Sequence, residues 1–191
     1  MPEGTSPGFD AELAAFRGGE EWGASAVWRR YHSRLIAYLL TRGFRRPDAE
    51  DLASETWLRI ARSLATFEGS EREFRGWLFS IARARAVDAH RARARRPEVL
   101  DAEPDPGPAL DDPASTVVDG IRLDEILAVL RSLPGDQADV VALRVLAGLD
   151  ADEVGRLLGK RPGTIRVIQS RALSRLAGLV DGRDLRLGVT E

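Results

Sequence analysis

Asp150-Ala-Asp-Glu-Val-Gly-Arg-Leu-Leu-Gly159, followed at once by Lys160-Arg-Pro-Gly-Thr-Ile-Arg-Val-Ile-Gln-Ser170-Arg-Ala-Leu-Ser-Arg-Leu176, reads as two helices with a break between them. Asp150, Asp152 and Glu153 place negative charge in the first turn, where the helix dipole favours it. Val154, Leu157 and Leu158 recur at helical spacing, and Gly159 supplies a stop. Pro162-Gly163-Thr164 opens the second helix, whose core positions are Ile165, Ile168, Ala172, Leu173 and Leu176. A short helix, a tight turn and a longer helix form a helix-turn-helix. The opposite face of the second helix presents Arg166, Val167, Ser170, Arg171 and Ser174. Arginine bonds guanine O6 and N7 in pairs, and a valine packs on a thymine methyl, so this face suits the major groove. Lys160, Arg161 and Arg175 flank it as phosphate contacts. The plainer reading is a helical hairpin with a solvated basic face. Spacing, turn residues and charge together favour DNA.

Working upstream, Gly148 punctuates, and Gly135 to Leu146 makes a helix carrying Val140, Val141, Leu143 and Leu146. Ile121, Ile126, Leu127, Leu130 and Leu133 predict another, stopping at Pro134. Before these comes a different composition. Residues 97–120 hold no basic side chain and seven acidic ones, with Pro97, Pro104, Pro106, Pro108 and Pro113. Repeated proline prevents a helix, and so acidic a stretch buries no core, so 97–119 reads as a flexible linker. The expected domains are 11–96 and 120–180, with 181–191 a short polar tail.

The first domain is also helical. Val27, Tyr31, Leu35, Tyr38 and Leu39 recur at three- and four-residue spacing, with Trp28 and Ile36 beside them. Pro47-Asp48 opens a second helix whose apolar face is Leu52, Trp57, Leu58, Ile60, Ala61 and Leu64. Gly69-Ser70 breaks the pattern. A third helix runs from about Phe74 to Ala94 on Phe74, Trp77, Leu78, Ile81, Ala82 and Val87. The fold class is therefore all-α, two small helical domains.

Composition removes whole classes of function. The chain has no cysteine and two histidines, His32 and His90, so thiol chemistry, disulfides and a histidine metal cluster are out, and no cofactor is expected. No apolar run approaches the roughly 18 residues that span a bilayer, and Met1 to Asp10 shows no secretory signal, so a cytoplasmic protein without a membrane partner is expected. The net charge of -2 hides an uneven distribution: 17 basic and 13 acidic side chains in 1–96, 11 and 10 in 121–191.

Two motifs remain. From Arg75 to Arg96 the third helix carries Arg75, Arg83, Arg85, Arg91, Arg93, Arg95 and Arg96 against one acid, Asp88. Arginines beside Phe67, Phe74, Trp77 and Phe79 suit a single strand, because bases stack on rings while arginines follow the backbone. Most of these rings read as core, Trp77 included. The loop from Phe67 to Phe74 (Phe67-Glu68-Gly69-Ser70-Glu-Arg72-Glu-Phe74) is the better pocket for a flipped base. The second motif is Asp48, Asp51 and Glu55, which share one helical face. Alone, it is equally a solvated acidic face or a protein-docking one.

The arrangement resembles sigma factors of bacterial RNA polymerase, specifically the extracytoplasmic-function (ECF) group of the sigma-70 family. Asp48-Ala-Glu-Asp-Leu-Ala-Ser-Glu-Thr-Trp-Leu-Arg looks like region 2.2, Phe74-Arg-Gly-Trp-Leu-Phe-Ser-Ile-Ala-Arg like the start of region 2.4, and Leu133 through Leu176 like region 4. The resemblance implies a non-enzymatic initiation factor that pairs with core polymerase, through its beta-prime clamp helices and beta flap, and with double- and single-stranded promoter DNA. It implies that Asp48, Asp51, Ser54 and Glu55 face the clamp. The loop Phe67, Glu68, Gly69, Ser70, Arg72 and Phe74, with Arg75, Arg83, Ala84, Val87 and Arg91, would lie on the -10 element. Lys160, Arg161, Thr164, Arg166, Val167, Ser170, Arg171 and Arg175 would lie on the -35 element. The acidic linker would thread the polymerase cleft toward the RNA exit path. An anti-sigma protein is a further partner that the family admits. Ala84 stands where the family often has Asn, and Val167-Ile168 where it often has a small polar and a basic residue; these departures bear on promoter sequence. The main alternative is a helix-turn-helix regulator with an N-terminal interaction domain, which leaves Asp48 to Ile60 and the arginine helix unexplained. A metal-dependent nuclease or a recombinase lacks the required residue clusters.

Overall fold

The computed structural model describes residues 8–95, 117–118, 121–122, 130 and 132–181, with side chains to residue 177 in the last helix. The linker residues 97–116, the expected helix positions Ile126 and Leu127, and the tail beyond 181 lie outside the described residues.

The first bundle has four helices. α1 (Phe9–Arg17) packs on α2 (Glu21–Thr41), followed by α3 (Arg46–Ser63), a 3-10 turn (Leu64–Thr66) and α4 (Glu71–Ala94). The stripe that predicted α2 is the buried one: Val27, Tyr31, Leu35, Tyr38 and Leu39 are all fully inaccessible. Trp28, off the stripe, is 45% exposed. α2 ends where Gly43 takes φ +82°, a conformation that costs glycine nothing. Rings fill the centre: Phe9 meets Tyr31 edge-on at 6.1 Å, and Tyr38 meets Phe79 edge-on at 5.6 Å. Each fully buried large side chain contributes about 1.5–3 kcal/mol.

α1 was not expected from the sequence. It brings Glu12, 7% exposed, under Arg30 of α2, which donates to both its carboxylate oxygens at 2.8–3.1 Å. A buried carboxylate needs such a partner. The crossing is close: a Cβ on Gly23 of α2 would lie 2.4 Å from the amide nitrogen of Phe16.

In α3 the expected apolar face is only partly the buried one. Ala49, Leu52, Ala53, Thr56, Ile60 and Leu64 are buried, at spacings of three and four, whereas Leu58 is 56% exposed and Ala61 is exposed. Thr56 enters this stripe because its hydroxyl donates to the carbonyl of Leu52 at 2.7 Å, leaving its methyl for the core.

A two-residue antiparallel ladder lies between the bundles along the sequence. β1 (Val117–Val118) pairs with β2 (Ile121–Arg122) in the register Val118 to Ile121. At Ile121–Arg122 this corrects the expectation of a helix, whereas Leu130, further along the same expected helix, is helical. The signal was present: β-branched residues flank Asp119-Gly120, a dipeptide that favours two-residue hairpin turns.

The second bundle has α5 (Gly135–Val145), α6 (Ala151–Leu158) and α7 (Pro162–Asp181). Val140, Leu143, Leu146, Leu149, Val154 and Ile165 form its buried centre. Asp150 caps α6 fully, its carboxylate accepting from the amides of Asp152 and Glu153 at 2.9 Å. The Asp150 amide in turn donates to the Glu153 carboxylate at 2.6 Å. Gly159, at φ +64°, ends the helix.

Candidate nucleic-acid and protein-docking surfaces

α7 carries the first surface. Ile165, Ile168 and Ala172 pack inward. Arg144 of α5 holds the helix by donating to Gln169 Oε1 at 3.0 Å and to the carbonyl of Leu149 at 2.6 Å. The opposite side presents Arg166, Val167, Ser170, Arg171, Ser174 and Arg175, with Lys160, Arg161 and Thr164 at its start, and every one is exposed. Arg166 has a charged neighbour, Asp152, at a loose 3.6 Å. Leu173, expected in the core, is 50% exposed. It sits about 100° around the axis from Ala172, beyond the edge of the buried stripe.

α4 and its preceding loop carry the second. Glu73 accepts from the hydroxyl of Ser70 and from its backbone amide at 2.8 Å, which hold its carboxyl below the ordinary range. Phe67 is half-buried, stacked on Trp77 at 4.8 Å and edge-on to Phe74 at 5.8 Å. Arg17 of α1 donates to the Phe67 carbonyl at 2.7 Å. Phe74 itself is fully buried and belongs to the core. The accessible part of the loop is therefore Glu68, Gly69 and Ser70, beside the exposed rim of Phe67. Along α4, Arg83, Ala84, Val87 and Arg91 share a side; Ala84 and Arg91 are exposed, Arg83 and Val87 half-buried.

Two arginines of this surface are already engaged. Arg72 donates to Glu153 Oε1 of α6 at 2.9 Å and is also hydrogen-bonded to Asp150. Those carboxylates, Glu153 first, raise the Arg72 guanidinium. The Glu153 amide first, then the Arg72 charge and the Asp152 amide, hold the Asp150 carboxyl low. Arg75 is half-buried against Gly148, where a Cβ would stand 3.2 Å from Nη1.

α3 carries the third surface. Asp51, Ser54 and Glu55 are exposed on one side of the helix, and Leu58 stands among them. Leu58 escaped the sequence reading, which placed it in the core. Asp48 is drawn off this face: Arg93 of α4 approaches its Oδ2 at 2.6 Å and Arg45 at 3.8 Å.

Among the described residues no three His, Asp or Glu side chains are grouped to hold a metal ion. No helix among them is long and apolar enough to cross a membrane.

Residues 27–96 match the Sigma-70 region 2 family and residues 123–176 the Sigma-70, region 4 family. The chain is 33% identical over 163 residues to the ECF RNA polymerase sigma factor BldN of Streptomyces coelicolor, a match covering 85% of this chain and 62% of that one. It is 34% identical over 139 residues to the ECF RNA polymerase sigma factor ShbA of Streptomyces griseus, covering 69% and 71%. In fold it is similar to the sigma factor RpoE solved with the anti-sigma factor NepR from Bartonella quintana, with a TM-score of 0.58 and 24% identity over 91% of this chain and 96% of that one. The matched segments are the two helical bundles that carry the three surfaces, and on this ground the chain belongs to the ECF group of the sigma-70 family of RNA polymerase sigma factors.

Proposed function

We propose that this chain binds core RNA polymerase, directs it to promoters and helps open them, without catalysing a reaction itself. The exposed face of α3, with Asp51, Ser54, Glu55 and Leu58, docks on the clamp helices of the beta-prime subunit. Asp48 supports that face through its pairing with Arg93. The second bundle rests against the beta flap and lays α7 in the major groove of the -35 element. There Arg166, Val167, Ser170 and Arg171 read base edges, while Lys160, Arg161, Thr164 and Arg175 contact the backbone.

The exposed loop Glu68-Gly69-Ser70, with Phe67 beneath it, receives an unpaired base of the -10 element. Arg83, Ala84, Val87 and Arg91 run beside the single strand, joined by Arg72 and Arg75 when these are free. Stacking contributes about 1–3 kcal/mol per base, comparable with the few kcal/mol needed to flip one. An anti-sigma protein that covers these surfaces is the regulator this arrangement admits.

One observation carries the reading: a helix-turn-helix whose groove-facing residues are all exposed shares a chain with a separate arginine-lined helix. Run-off transcription tests it. Core polymerase with this protein should initiate from a promoter that core alone ignores. A protein that only changes the output of an already assembled holoenzyme is an ordinary regulator, and the proposal fails.

A further inference from the structure

α1 (Phe9–Arg17) precedes the segment 27–96 that matches Sigma-70 region 2, yet it ends on the loop that leads into α4. Arg17, its last residue, donates from Nη2 to the carbonyl of Phe67 at 2.7 Å, across 50 positions of sequence. A cation in the last turn of a helix is commonly there for the helix dipole. This one leaves its own helix and holds the backbone of another segment, which the dipole does not require.

The far side of the loop is held from α2. Tyr31 donates its hydroxyl to Glu71 Oε1 at 2.6 Å, and Arg30 stands 3.8 Å from the same oxygen. Arg30 in turn binds both carboxylate oxygens of Glu12, which ties α2 to α1. α1 is fixed in the core as well, with Leu13 buried and Phe9 against Phe74 at 5.4 Å. The pair α1 and α2 therefore grips Phe67 before the loop and Glu71 after it. Glu68, Gly69 and Ser70 lie between the two grips.

The loop itself has little slack. The Phe67 ring stacks on Trp77, and Ser70 closes on Glu73. A Cβ on Gly69 would lie 2.9 Å from the Cβ of Glu73 and 3.0 Å from Cζ of Phe67. The peptide plane between Phe67 and Glu68 is the one that Arg17 holds. Turning that plane would swing Glu68 and Gly69 with it.

We propose that Arg17 is a positioning residue for base selection at the -10 element: by fixing the Phe67 carbonyl, it presents Glu68, Gly69 and Ser70 to the unpaired base in one conformation. A loop already held in shape loses little conformational freedom when the base enters. It also discriminates, because its polar groups cannot shift to suit a wrong base. α1 thereby acts in promoter reading without touching DNA. The inference rests on reading the loop from Phe67 to Phe74 as the receiver of a flipped base.

Holoenzyme reconstituted from core polymerase and the full chain tests it, transcribing a promoter library randomised through the -10 element behind a fixed -35 element. Sequencing the transcripts gives the base preference at each position. Arg17→Ala should lower the preference at one -10 position by about fivefold and leave the other positions within about twofold. Arg17 is exposed, so its replacement leaves the core intact. Arg17→Lys, whose ammonium can donate to the same carbonyl, should keep most of the preference. Three results overturn the proposal: a profile unchanged by Arg17→Ala, a lysine variant as unselective as alanine, or a loss spread evenly over every base, which marks a phosphate contact or a general loss of fold.

Glu68→Ala separates this inference from the reading beneath it. If Glu68→Ala alters the profile and Arg17→Ala does not, the loop receives the base without help from α1, and only this proposal falls. If neither alters it, the loop is not the receiver, and both fall.

Discussion

Gly155 of α6 lies directly beneath the carbonyl of Lys160: a Cβ at 155 would come within 2.7 Å of that oxygen. The Lys160 amide in turn donates to the Gly155 carbonyl at 2.9 Å, folding the turn back onto the helix it leaves. The angle between the two helices of the DNA-reading unit therefore depends on a missing side chain. Gly155→Ala should destabilise the second bundle by about 1–3 kcal/mol, the usual cost of overpacking a tight site. Gly159→Ala, where φ is +64° but nothing lies within 4 Å, should cost about 1–2 kcal/mol of backbone strain and leave the crossing intact. Urea unfolding of both variants, with DNA binding measured under native conditions, separates the two.

The α3 face gives a prediction about polymerase. Asp51→Ala combined with Glu55→Ala should weaken binding to core polymerase by about 1–2 kcal/mol, and Leu58→Asp should weaken it further. Binding of the same variants to duplex carrying a -35 element should not change, because α3 lies in the other bundle. Competition for core against the unmutated chain measures the first effect, and anisotropy on the duplex the second.

Arg171 separates base reading from backbone contact. Exposed on the outer side of α7, it should lose about 1–3 kcal/mol on the preferred -35 element when changed to alanine, and discrimination at one base pair should relax. Measuring the holoenzyme on a set of singly substituted -35 elements resolves this. A uniform loss on every sequence would place the side chain on phosphate instead.

His32 links stability to pH. Trp57 Nε1 donates to His32 Nδ1 at 3.3 Å, and Trp28 stacks on the ring at 4.2 Å. Burial pushes the imidazole below its ordinary value, and burial does the same to His90. A lowered folded-state value means that the unfolded chain takes up protons first as pH falls. Stability is therefore full above about pH 6.5 and declines below it. Protonation at Nδ1 also removes the acceptor that Trp57 uses. The urea midpoint should drop between about pH 7.5 and pH 5.5, and His32→Gln should flatten the drop. A midpoint that rises on acidification would contradict this account.

Much of the molecule was readable in its residues because the signals are local. The α2 stripe, the Asp150–Glu153 cap, the stop at Gly159 and the split of α7 into buried and exposed sides all follow from periodicity within a few turns. The misreadings share a cause. Leu58, Ala61 and Leu173 are apolar yet face outward, while Thr56 is polar and faces inward. Hydrophobicity identifies a helix well but fixes its rotation only within the width of the stripe. α1 was not expected, and a strand stands at Ile121–Arg122 where the expected helix begins.

The sequence by itself determined two helical bundles, their order, and the chemistry available on each face, since all of these depend on residues close along the chain. Only the tertiary structure decided that Asp48 turns to Arg93, and that Arg42 and Arg72 face the acids of the other bundle. The last two residues are 97 and 81 positions from Asp139 and Glu153. No periodicity spans such distances; which charges meet is settled by how the packed helices place them, and that sum over the whole core is not written in any one stretch of residues.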